Sequence, residues 1–86
     1  MIKIKDDVTY QKLNAIGFRL DKFNDCYSCE ILDGTEISVD RHSKIIYLIF
    51  KSGYEVIEYD DEEADSFEQI YYYCPELKGL VEQVEE

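Results

Sequence analysis

The chain has 86 residues and carries 20 Asp or Glu against nine Lys or Arg, a formal charge of −11. That balance argues against nucleic-acid binding, which depends on Lys and Arg neutralising phosphates, and the length allows one small domain, 1–86, with a marginal core. With 45% hydrophobic residues, eight Tyr, four Phe and a single Pro, the composition also argues against a disordered acidic tail.

Ile2 and Ile4 alternate with Lys3 and Lys5, the period of a short strand with one buried face. Asp6 or Asp7 is expected to cap a helix running to about Ile16, because a carboxylate accepts from the free N–H groups of the first turn. Tyr10, Leu13 and Ile16 form its apolar stripe. Gly17 suits the left-handed position that closes a helix, and Phe18 folds back onto Leu13 as in a Schellman ending.

From 18 to 59 the apolar period is two. Residues 18–22 read as a strand and Asn24-Asp25 as a turn, after which Tyr27, Cys29 and Ile31 line one face of the next strand. Asp33-Gly34 is a two-residue hairpin signal, since both turn positions need positive φ. Ile37 and Val39 alternate with Glu36, Ser38 and Asp40, and a loop at Arg41-His42-Ser43 follows. The continuous apolar run 45–50 is expected to be a central strand covered on both faces. Ser52-Gly53 then turns into a strand over 54–59.

The block Asp60-Asp61-Glu62-Glu63-Ala64-Asp65-Ser66-Phe67-Glu68 places six carboxylates in nine residues. It is expected as a solvated loop leading into a helix, whose positive N-terminal end favours acidic neighbours. Ser66 and Gln69 have the spacing of a capping box. Phe67, Ile70, Cys74, Leu77, Val81 and Val84 step in a 3-4-3-4-3 pattern, interrupted by Pro75, which costs roughly 3 kcal/mol inside a helix. A helix over 66–79 with a break near Cys74 follows, and 80–85 fits either a last helical turn or a short edge strand. The expected fold is α+β: an antiparallel meander of four or five strands with two helical segments on one face, over a core of Leu13, Ile37, Val39, Ile46, Leu48, Phe50, Val56 and Ile70.

The Ile2-Lys3-Ile4-Lys5 start, the helix ending Ile16-Gly17-Phe18, the Tyr-rich meander and the ending Gly79-Leu80-Val81-Glu82-Gln83-Val84-Glu85 together resemble small proteins encoded in prophages and mobile elements of Gram-positive bacteria. The resemblance spans most of the chain. It implies a bacterial or phage cytoplasmic setting, and it brings no functional residue, because that family has no assigned activity. A cytoplasmic location also follows from an N-terminus without the order of a signal peptide. No apolar stretch approaches the ~18–20 residues of a membrane span. Three cysteines then read as reduced thiols.

Cys26-Tyr27-Ser28-Cys29, with His42 and Cys74, supplies the four ligands of a closed zinc site. Against it, residues three apart on a strand face opposite sides, with Cys29 expected inward and Cys26 outward. Without a following helix the pair also lacks the setting of a redox motif. Filler cysteines, no metal and no cofactor are expected. His42 is the single histidine and stands in a loop without a neighbouring nucleophile. No paired acid and base, nucleophile elbow or phosphate-binding glycine loop is present, so no enzyme is expected. The acidic block also lacks the alternation and mid-loop glycine of an EF-hand.

Three consecutive tyrosines on a helix cannot all face inward, since successive residues are ~100° apart, and exposed Tyr is enriched at protein interfaces. The expected partner-binding surface is therefore Asp60, Asp61, Glu62, Glu63, Asp65, Glu68, Tyr71, Tyr72 and Tyr73. The expected function is a non-enzymatic acidic module for a basic protein surface, including a nucleic-acid mimic that occupies a basic site on a host or phage protein. Neither nucleic acid nor membrane is a direct partner in this reading. The alternative is a small-ligand or zinc-binding domain using Cys26, Cys29, His42 and Cys74.

Overall fold

Antiparallel pairing of consecutive strands organises the chain. The computed structural model describes residues 1–32, 34–52, 58–64 and 66–84, and for Leu32 and residues 50–52 and 58–63 the backbone alone. Strands β2 (Arg19–Asp21), β3 (Cys26–Leu32), β4 (Thr35–Asp40), β5 (Ile46–Ser52) and β6 (Glu58–Glu63) lie side by side in chain order as a five-stranded sheet. Strands β1 (Ile2–Ile4) and β7 (Val81–Gln83) form a separate antiparallel pair, and helices α1 (Tyr10–Ile16) and α2 (Phe67–Tyr73) complete an α+β fold. No helix among the described residues is long and apolar enough to cross a membrane.

Period-two alternation decides which residues are covered. Cross-strand partners Tyr27↔Val39, Val39↔Ile46 and Ile37↔Leu48 share one face. All five are buried, in one cluster with Leu13 of α1, Ile70 of α2, Phe18, Ile2, Ile4 and Leu77. Both helices therefore pack against that face. Of the expected core residues, Val56 lies outside the described residues and Phe50 is described by its backbone alone.

Helix α1 begins later than the carboxylates suggest. Thr9 is its cap, its hydroxyl accepting the Lys12 N–H at 3.2 Å. Residues 6 and 7 form the turn out of β1, and the Asp6 carboxylate instead takes a hydrogen bond from Lys3 at 2.9 Å. The C-terminus closes as expected. Gly17 has φ 129, its N–H reaches the Asn14 carbonyl at 3.2 Å, and the Phe18 N–H reaches that of Leu13 at 3.0 Å. Tyr10 fastens the helix to the sheet by stacking on Tyr27 at 4.4 Å and donating its hydroxyl to the Arg41 carbonyl.

Three expectations are corrected. The 45–50 segment falls largely in β5, which among the described residues is covered by helices on one face only: Ile46 and Leu48 are fully buried while Tyr47 and Ile49 are half-buried on the other side. The acidic run is not a loop: residues 58–63 form β6, which includes the last two residues of the strand expected over 54–59, whose residues 54–57 lie outside the described residues. Pairing from Ser52↔Glu58 to Tyr47↔Glu63 draws it along β5, and buried Ala64 extends the ladder by donating to the Ile46 carbonyl at 3.2 Å. Ladder formation here overrides the low strand propensity of Asp and Glu, and carboxylates on an edge strand oppose pairing with further chains.

Finally, α2 ends at Tyr73 instead of running to 79. Ser66 caps it through Gln69 N–H at 3.1 Å, and Pro75, which has no N–H to give, opens a 3-10 turn, Pro75–Leu77. Gly79 (φ 85) then reverses the chain. Residues 81–83 are strand because β1 offers a free edge, pairing Ile4↔Val81 and Ile2↔Gln83. The pair is tied to the start of β5 by the Ile4 N–H on the Lys44 carbonyl at 3.0 Å.

One-sided burial has a measurable consequence. Leu48→Ala should cost about 2–5 kcal/mol in urea unfolding, the range for a buried leucine, whereas Ile49→Ala on the open face should cost clearly less. Equal losses would contradict a single covered face.

Candidate functional site

The second face of the sheet is left without a helix over it among the described residues. Its rows follow from register: Ser28↔Ser38↔Tyr47, Asp21↔Cys26↔Asp40 and Glu36↔Ile49. These residues, with Phe23 and Asn24 of the β2–β3 turn, line a concavity of about 790 Å³. Its floor is buried, with Ser38 7% and Cys26 8% exposed.

The rim is built by aspartates that organise turns. Asp21 accepts the N–H of Phe23 at 3.0 Å and of Asn24 at 3.2 Å, and the Asn24 side-chain amide at 2.8 Å. That turn presents Phe23, whose ring is 95% exposed. Asp25 at its end has φ 54, accepts from Arg41 at 3.1 Å and lies 2.7 Å from Nε2 of His42. Asp40 accepts the N–H groups of Ser43 at 2.8 Å and His42 at 2.9 Å. The Asn24 side chain holds the Asp21 carboxyl below its ordinary range, the Ser43 N–H does so for Asp40, and His42 followed by Arg41 does so for Asp25. All three therefore stay ionised at neutral pH.

Strand β6 adds to the same rows. Glu63 pairs with Tyr47 and Asp61 with Ile49, whereas Glu62 and Asp60 pair with Leu48 and Phe50, positions of the other parity. The acidic run thus occupies register positions of both parities. Of the remaining expected surface, Asp65 lies outside the described residues and Glu68 is exposed in the first turn of α2. Tyr72 is 78% exposed, and Tyr71 and Tyr73 are half-buried against the core, Tyr73 meeting Tyr72 edge-on at 5.1 Å. Because α2 covers the core face, the tyrosines stand on the opposite side of the sheet from the concavity, and the two do not form one surface. Asp21, Phe23, Glu36 and Asp40 went unselected in the sequence. The alternation of Glu36, Ser38 and Asp40 with Ile37 and Val39 was the signal that placed them together.

The four candidate zinc ligands are not brought together. Cys26 lies in the concavity floor. Cys29 is on the core face, where a Cβ on Gly17 would stand 3.6 Å from its sulfur. Cys74 is buried and donates to Glu76 at 3.4 Å, and His42 sits on Asp25. No three His, Cys, Asp or Glu among the described residues are arranged to hold a metal. No protein-family model, curated protein or solved structure matches the chain.

Burial pushes all three thiols up, Cys74 to about 12 with Glu76 adding to the effect. Native protein at pH 8 should therefore react slowly with iodoacetamide, Cys74 slowest, and all three should react readily in urea, as mass spectrometry would count. The folded chain holds the Cys74 proton more tightly than the unfolded one. That contribution to stability is complete below pH 9.0 and lost as pH rises toward about 12. A native Cys74 alkylated as fast as in urea would show that the burial is wrong.

Proposed function

We propose that this protein is a non-enzymatic acidic binding module whose partner is a basic protein surface. The observation that supports it is that Asp21 of β2 and Glu36 and Asp40 of β4 line one concave sheet face, whose rows Asp61 and Glu63 of β6 join by backbone register. At a net charge of −11 their mutual repulsion is tolerated in the free chain, and a basic partner relieves it.

A nucleic-acid mimic is the sharper form of this reading. Alternate strand residues repeat every ~6.8 Å, twice the ~3.4 Å axial advance per nucleotide along one strand of B-DNA. Carboxylates at that spacing suit a basic cleft that otherwise holds phosphates. The bacterial or phage cytoplasm suggested by the resemblance is the setting in which such a partner is sought.

Immobilised protein should retain proteins from the heparin-binding fraction of a bacterial extract, and added duplex DNA should displace them. Asp61→Lys with Glu63→Lys should lower the association rate by about tenfold or more and flatten its salt dependence, while Glu68→Lys on α2 should have little effect. Unchanged capture by the double reversal would reject the module reading. The chain itself should leave the anisotropy of a labelled DNA duplex unchanged at micromolar protein and physiological salt.

A further inference from the structure

Strand β7 is paired on one side only. Against β1, the Lys5 N–H reaches the Leu80 carbonyl and the Val84 N–H the Met1 carbonyl, both at 2.9 Å, with Lys3 opposite Glu82 between them. Alternate residues of an antiparallel strand turn their backbone groups to opposite sides, so Val81 and Gln83 direct theirs away from β1. The far side of β1 is itself taken, by the Lys44 carbonyl on the Ile4 N–H and the Lys3↔Ile45 bridge. Among the described residues nothing meets the outward groups of Val81 and Gln83, and β7 is the outer strand of its pair. Ser52 and Glu58, which flank residues 53–57, stand at the far end of β5 from Ile46, ~20 Å away at ~3.4 Å per residue.

An edge of unmet N–H and carbonyl groups is completed by another extended segment, and the side chains select which. Leu80, Glu82 and Val84 share one parity of β7, the two apolar members half-buried on either side of the carboxylate. The Glu82 side chain is 42% exposed and has Lys3 at 3.7 Å, while that ammonium is held closer by Asp6, at 2.9 Å. Glu82 therefore keeps acceptor capacity for a second cation. It would face an added strand at a non-hydrogen-bonded position, where opposed side chains come closest. A basic residue is favoured there and a carboxylate opposed. A second copy placed by a twofold at Glu82 would set that carboxylate against itself, and every register would bring together two chains of charge −11.

We propose that the outer edge of β7 accepts an extended antiparallel segment of a partner protein with the pattern apolar–x–basic–x–apolar. Its backbone bonds Val81 and Gln83, its Lys or Arg faces Glu82, and its apolar residues face Leu80 and Val84. The edge belongs to the two-stranded sheet and not to the concave face, so the proposal does not depend on the acidic-module reading.

The test is an amide NMR titration of the full chain, at physiological salt, with acetyl-Thr-Val-Thr-Lys-Thr-Val-Thr-amide and its glutamate-centred counterpart. Saturable shifts at Val81 and Gln83, slowed hydrogen exchange of both N–H groups and tighter binding of the lysine peptide are expected. N-methylation of the two threonines beside the lysine removes the donors that face β7 and should abolish the shifts. N-methylation of the lysine, whose N–H points away from β7, should be tolerated. Glu82→Gln should reduce the preference for the lysine peptide by about threefold, with little change in the urea midpoint because Lys3 keeps Asp6. Equal binding of the two peptides, indifference to the place of N-methylation, or shifts centred away from β7 would overturn the proposal in favour of unspecific attraction. Concentration-dependent shifts at Val81 and Gln83 without peptide would overturn it in favour of a second copy, and the lack of any saturable shift would end it outright. Capture of basic proteins through Asp61 and Glu63 stands or falls separately.

Discussion

Everything in this fold depends on the cross-strand row that runs Tyr27, Val39, Ile46 on one face and Ser28, Ser38, Tyr47 on the other. Each strand repeats with period two, so a slip of one residue anywhere in the ladder would exchange the buried and open faces throughout. The apolar row is what α1 and α2 cover, through Leu13 and Ile70. A chain this short has few apolar side chains for a second layer, and among the described residues no helix covers the complementary row, which lines the concave face.

That same ladder redistributes charge. A consecutive acidic run looks like one patch when written in a line, but strand geometry sends alternate members to opposite faces. Asp61 and Glu63 join the rows of Ile49 and Tyr47, far in sequence from Asp21, Glu36 and Asp40 yet on the same side of the sheet. At the edge of the sheet the run also guards against unwanted strand addition.

The turns connecting the strands use the same residue type for a different purpose. Asp21, Asp25 and Asp40 accept hydrogen bonds from backbone, amide and cationic groups nearby, which lowers their proton affinity and stiffens the loops. Turn geometry and retained charge are produced by one set of contacts. Phe23 is exposed on such a loop, and the open face is consequently both charged and aromatic.

The residues alone determined the α+β class, the meander, the Schellman ending at Gly17, the break at Pro75 and most of the core, because periodicity, capping and proline sterics are local and leave a mark within a few positions. They also determined that one of Tyr71, Tyr72 and Tyr73 must be exposed, and it is Tyr72. Three matters were decided only by tertiary pairing. Residues 81–83 became strand because β1 presented an unpaired edge. The acidic run became β6 because β5 was already there to pair with, against its own propensity. Which acidic residues of distant strands share a row was decided by register, which no reading of neighbouring residues along the chain contains.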